Sequence, residues 1–347
     1  MPERVLTLRE LNRTTLLRQL LLRRERLGVT RAVERLAALQ AQLSTSPYIA
    51  LWSRLDGFER SSLERALRRD AVIKATLMRA TLHLVAARDY PFFRTAVNAA
   101  ATTIRTRGID PPPDHVIRRA EELARERPRT RRELLAVLGY PERVDPLVDP
   151  RPLRQLHWLL STAHLEQTPD TATWVPERVA RFRRLDVELP SQEAGRVHLV
   201  RRYLAAFGPA SRADLCDWSG VPARELVPAI DSMRLRTLRD ERGRELLDLP
   251  RAPLASGDEP APPRLLPRWD ELLLAHKDRT RVLHEEHRKT VIRKNGDVQE
   301  TFLVDGFVAG LWHENGSKIA LEPFAPLPRQ ARRELEDEAR RLAHWLR

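Results

Sequence analysis

Apolar residues follow a helical three-and-four spacing through the first seventy residues. They predict helices over 6–24 and 30–42, a break at Pro47, and a third helix from Tyr48 through Trp52. Ser61 and Ser62 can cap a fourth helix over 63–69. The period then changes. Residues 72–86 partly alternate and lack a charged helical face, which predicts two strands turning near 78–80. Several helices followed by a short hairpin is the order of a winged helix. Three consecutive prolines make 108–115 a connector, and a helix is predicted over 116–127.

A phrase then recurs. Pro128, Thr130, Glu133 and Leu134 run on to Gly139, and Pro209, Ser211, Asp214 and Leu215 run on to Gly220 at the same spacing. Each copy has a hydroxyl N-cap, an acid three residues later, an apolar helix and a terminating glycine. The second copy lies in a full unit: a helix over 195–207, one over 211–219, one opening at Pro222, and a hairpin over 235–249 turning at Arg242 and Gly243. Around the first copy, 152–163 supplies the third helix, with wing strands expected at 165–168 and 171–175.

Residues 250–267 are rich in Pro, Ala and Ser and predict a linker. Beyond it, Asn295-Gly296, Asp305-Gly306 and Asn315-Gly316 recur every ten residues, each a favoured hairpin turn. The β-prone runs 301–304 and 307–312 lie between them, so an antiparallel meander is expected. A closing helix over 328–347 carries Leu335, Ala339, Leu342 and Leu346 on one stripe. The expected class is α+β and helix-rich, with tandem winged-helix units and a C-terminal antiparallel β domain. The expected divisions are 1–90, 91–127 (a helical connector), 128–178, 179–250 and 251–347.

Composition adds a partner. Hydrophobic residues are 42% and charged residues 31%, the balance of a globular chain. The net charge is +13, carried mostly by Arg, and an excess of that size implies a polyanion such as DNA. Spread evenly, the same excess would mark only an arginine-rich composition. Cys216 is the only cysteine, which excludes a disulfide framework, and its apolar helical setting suggests a buried structural thiol. No apolar run has transmembrane length and no signal peptide is legible, so no membrane partner and a cytoplasmic, nucleoid-associated location are expected.

Conventional catalytic signatures are missing, and no cofactor is expected. His276, His284 and His287 lie close together around Glu285 and Glu286, but a charged surface is the preferred reading and no metal is expected. Gln40 and Gln42 stand where an apolar helix is ending. In a helix, positions i and i+2 point to different faces, so both amides can share a cleft only if the helix unwinds. A glutamine amide both donates and accepts, and can hold a water and a ligand edge together. Two polar residues at a helix end are the plainer alternative.

The phrase Leu39-Gln40-Ala41-Gln42, followed by Ser46-Pro47-Tyr48 and Leu51-Trp52, resembles the motif of the AlkZ-type (YcaQ-like) winged-helix DNA glycosylases. Further matching phrases run from Arg79 through Thr81 to His83, from Leu265 through Pro267 to Asp270, from Phe302 through Asp305, Gly306 and Gly310 to Trp312, and from Leu321 to Phe324. The resemblance implies tandem winged helices joined to a β domain, excision of bulky or crosslinking N7-alkylated purines from duplex DNA, and Gln40 and Gln42 as catalytic residues. Other members carry Asp at the second position, so Gln42 places this chain with a narrower branch.

The expectation is a monomeric, monofunctional DNA glycosylase acting on double-stranded DNA with alkylated bases. Thr45, Ser46, Arg79, His83 and Arg212 are the candidate DNA contacts. Glu34 and Asp56 lie nearby in sequence, without a role. The alternatives are a non-catalytic winged-helix DNA-binding or regulatory protein and a protein that sequesters a DNA-damaging metabolite.

Overall fold

The computed structural model describes residues 4–97, 111–141, 144–145 and 147–347. Residues 108–110 of the expected connector 108–115 lie outside them. The chain is of the α+β class and divides into two compact units, one of Met1–Glu59, Arg201–Leu215 and Arg234–Arg347, the other of Arg60–Val200 and Cys216–Met233. Among the described residues, no helix is long and apolar enough to cross a membrane.

In the second unit, helix Arg60–Arg68 buries Leu63, Ala66 and Leu67. The expected hairpin follows, with Val72–Thr76 antiparallel to Leu82–Ala86 and a tight turn at Met78–Ala80. Helix Tyr90–Val97, which the spacing did not announce, comes next, and then helix Asp114–Glu126. The first copy of the repeat forms a full capping box. Thr130 accepts from the Glu133 amide, and Glu133 accepts from the Thr130 amide at 2.8 Å, opening helix Arg131–Val137. Helix Arg151–Thr162 packs with these helices around Leu134, Leu135, Leu156, Leu159 and Phe182.

The strand expected at 171–175 does not form. Pro169–Thr171 closes a tight turn, with the Thr171 amide and hydroxyl both donating to the Thr168 carbonyl. The partner of Glu166–Gln167 is Arg181–Arg183, where Phe182 points into the core between two arginines. Glu166–Gln167 also pairs with Lys74–Ala75, and Arg181–Phe182 with Arg129–Thr130, so the two hairpins share one sheet.

In the first unit, the capping box of Thr7 and Glu10 opens helix Leu8–Arg18. The helix stops short of the predicted 6–24 because Leu20 takes a positive φ of 58° and Val5–Leu6 runs as a strand parallel to Arg236–Asp240. The second copy of the repeat is also boxed: the Ser211 amide donates to Asp214 at 2.9 Å and the Asp214 amide to the Ser211 hydroxyl at 3.2 Å. Along the chain, helices Gln192–Phe207 and Arg212–Ser219, each divided between the units, and Ala223–Asp231 of the second unit precede the first unit's hairpin Arg236–Asp240 with Glu245–Asp248. Both copies end on glycine at positive φ, Gly139 at 79° and Gly220 at 74°.

The C-terminal sheet runs Arg264–Leu266, Thr301–Val304, Phe307–Asn315, Lys318–Pro323, all antiparallel, and helix Arg329–Leu346 packs on it. Part of the expected linker is therefore a strand, with all three residues buried. The Asp305-Gly306 turn is a two-residue loop with φ of 48° and 81°, as its sequence predicts. The next loop shifts by one residue: Asn315 still pairs with Lys318, so the turn is Gly316-Ser317. The Asn295-Gly296 turn joins only an isolated bridge, Ile292 with Val298.

Candidate active site

Helix Val29–Leu36 turns Val29, Ala32, Val33 and Leu36 inward. It ends six residues before the predicted boundary at 42. Ala37 stands at φ 65° and ψ −53°, and the Ala38 amide donates to the Leu36 carbonyl at 2.8 Å. That is a γ-turn of the rare positive-φ kind. The chain leaves it extended through Leu39–Gln40. Leaving the helix at Leu36 removes the helical obstacle to Gln40 and Gln42 sharing a cleft, Gln40 lying in the extended pair and Gln42 in the bend that follows. Their depths differ: Gln40 is 6% exposed, whereas Gln42 is exposed.

Two carboxylates flank this segment in sequence. Glu34 is buried and paired with Arg31 at 2.9 Å, and its backbone carbonyl accepts from the Arg202 guanidinium. Asp56 pairs with the exposed Arg26 at 3.0 Å.

Helix Ser46–Arg54 follows, with Pro47 in its first turn and all nine residues buried. Arg54 forms a buried two-pronged ion pair with Asp270 at 2.8 and 2.7 Å, and donates to the carbonyls of Gln19 and Ala50. The Ser53 hydroxyl donates to the Leu265 carbonyl, and Trp312 Nε1 to the Leu266 carbonyl at 2.8 Å. Phrases more than 200 residues apart in sequence are thus joined at the end of the helix that follows the glutamine segment. The hairpin tip is docked as well. Asp305 pairs with Arg9 at 2.7 Å and with Arg13, and a side chain at Gly306 would meet Asn12, Arg13 and Leu16.

The five candidate DNA contacts are placed differently. Thr45, half-buried, precedes helix Ser46–Arg54, and Ser46 is 2% exposed. Arg212 is half-buried at a helix start and pairs with Glu245 at 2.8 Å. In the second unit, Arg79 sits at the hairpin turn with φ 53° and donates to the Trp218 carbonyl at 2.5 Å. His83 is wholly buried on its strand, its Nδ1 2.9 Å from the Thr81 carbonyl, so that side chain is off the protein surface. The histidine group also separates. His276 is buried, its Nε2 3.0 Å from the Phe207 carbonyl, and burial depresses it to about 3. His284 stacks on Phe307, and His287 lies against Phe324. Cys216 is half-buried, and burial raises its thiol.

Two features escaped sequence reasoning. Arg24 lies over the Trp52 ring at 4.5 Å and is held there by Glu338. Arg202 reaches the carbonyl of Glu34, far away in sequence. In a chain this rich in arginine, nothing local distinguishes these two from the solvated ones.

A family model described as DNA glycosylase AlkZ-like matches the chain over residues 33–345, which include both glutamines. The chain belongs to that family and is a DNA N-glycosylase, an enzyme of DNA repair. An interstrand DNA cross-link repair glycosylase of Streptomyces sahachiroi is 25% identical over 360 residues, covering 94% of this chain and 93% of that protein. The solved structure of Streptomyces sahachiroi DNA glycosylase AlkZ is similar in fold, with a TM-score of 0.82 at 21% identity over 98% of this chain and 97% of that one.

Proposed function

We propose that this glycosylase hydrolyses the N-glycosidic bond of N7-alkylated purines in duplex DNA, including bulky or crosslinked adducts, with Gln40 and Gln42 placing the attacking water. The reading is carried by the end of the helix at Leu36, after which Gln40 lies buried in extended backbone and Gln42 exposed in the bend beyond it. The kinship to a relative named for interstrand cross-link repair supports the bulky end of the substrate range.

The chemistry suits amides. Alkylation at N7 puts a positive charge on the purine, so the base leaves neutral and needs little general-acid help. What remains is to hold a water behind the sugar and stabilise an oxocarbenium-like state. A neutral amide orients water without acting as a strong base, so the rate enhancement is modest and spent on an already weak bond.

Three runs of helices each ending in a hairpin support a tandem winged-helix arrangement over 1–90, 128–183 and 184–250, the boundary expected at 178 moving past the outer strand Arg181–Arg183. Thr45 and Arg212 keep exposure enough to reach phosphates. The enzyme works as a monomer. The test is release of N7-methylguanine, and of a bulkier N7 adduct, from duplex DNA. Wild type is expected to release both, and Gln40→Ala with Gln42→Ala to lower release at least tenfold. Background-level release by wild type, or undiminished release by the double variant, overturns the reading.

A further inference from the structure

The glutamine segment begins at a backbone conformation that alanine resists. At φ 65° and ψ −53°, the Ala37 Cβ is crowded by its own backbone, and only the surroundings can hold it there. Ala37 and Ala38 are wholly buried, Leu39 and Ala41 nearly so, which leaves the segment little room to relax outward. The last helical turn is pinned from another element. Arg202, on helix Gln192–Phe207 and within the same unit, donates to the Glu34 carbonyl, which also accepts the Ala37 amide at 3.1 Å. An arginine on the terminal carbonyls fixes where a helix stops.

We propose that Arg202 and Ala37 are positioning residues for Gln40 and Gln42: the guanidinium holds the helix end, the helix end holds the γ-turn, and the turn sets the direction in which the amides point. This rests on the proposed roles of the two glutamines but has a readout of its own. With the donor removed, Ala37 relaxes to negative φ and the extended segment swings. Glycine adopts positive φ without that penalty, so a glycine at 37 keeps the turn even without the clamp.

The experiment measures the Gln40 side-chain amide by NMR, identified by its loss in Gln40→Glu, beside single-turnover release of N7-methylguanine. Arg202→Met is expected to shift or broaden the Gln40 amide signal and to lower the saturating single-turnover rate constant roughly ten- to a hundredfold, the scale set by ångström misplacement, with the half-saturating enzyme concentration within about twofold. Arg202→Lys, which keeps a donor, falls between. Arg202→Met with Ala37→Gly recovers both the signal and the single-turnover rate constant. An unmoved Gln40 signal in Arg202→Met and Arg202→Lys overturns the proposal. So does a loss that Ala37→Gly does not recover, since that marks Arg202 as a general stabiliser. If wild type releases no base, the substrate reading falls, and the NMR arm alone decides the positioning role.

Discussion

Burial sets the behaviour of the ionisable residues inside the second unit. Glu166 is wholly buried; it accepts from the Leu185 amide at 3.0 Å, and burial raises it to about 7. Close to it along the chain, burial assisted by Arg94 and Arg184 depresses His164 to about 4. The signs oppose. Between pH 4.5 and 7 the folded protein holds a proton on Glu166 that the unfolded chain has released, so this group makes stability fall as pH rises. Between pH 4 and 6.5 the unfolded chain binds a proton on His164 that the folded protein refuses, so that group makes stability rise with pH. Glu166→Gln keeps an acceptor for the Leu185 amide and cannot ionise. It is expected to be more stable than wild type at pH 8, by on the order of 1–3 kcal/mol, and no more stable at pH 4. Urea unfolding at the two pH values checks this; an equal difference at both sinks it.

At the scale of elements, local chemistry decided starts and stops wherever the backbone's own needs were at stake. Both copies of the repeated phrase form their capping boxes and end on positive-φ glycine, because a hydroxyl and an acid three residues apart satisfy orphan amides in any fold. Two predicted helices ran too long, to 24 and to 42, because propensity continues past the point where packing turns the chain at Leu20 and Ala37. The wing strand at 171–175 was misplaced because Phe182 is the residue the core needs, a choice set by long-range pairing. The helix Ser46–Arg54 illustrates the same dependence. Ser53 ties it to the strand Arg264–Leu266, and the Arg54–Asp270 pair, with both side chains 1% exposed, ties it to the N-cap of helix Glu271–Leu274 just beyond that strand. Arg54→Met strands a buried carboxylate and is expected to cost about 3–5 kcal/mol, while Arg54→Met with Asp270→Leu recovers most of it. Thermal unfolding of the single and double variants measures this, and equal losses would remove the ion pair from the account.

For the whole molecule, the net charge of +13 makes DNA affinity a salt-dependent quantity. Binding to undamaged duplex is expected to weaken at least tenfold between about 50 and 200 mM salt, with little preference among sequences, as read by fluorescence anisotropy. A flat salt response would remove phosphate neutralisation from the account, and tight preference for one palindromic site would indicate a sequence-reading regulator instead. The sequence by itself determined the α+β class, the hairpin at Val72–Ala86, the two capped helices, the meander and the Gln40–Gln42 phrase. All of these are written in periods, caps and turns that act over a few residues. Only the tertiary structure decided that Gln40 lies in extended backbone while Gln42 is exposed, that Arg202 rather than another arginine clamps the helix before them, and that His83 is buried. Those outcomes depend on partners more than a hundred residues away or on the summed packing of several elements, and no local pattern carries that information.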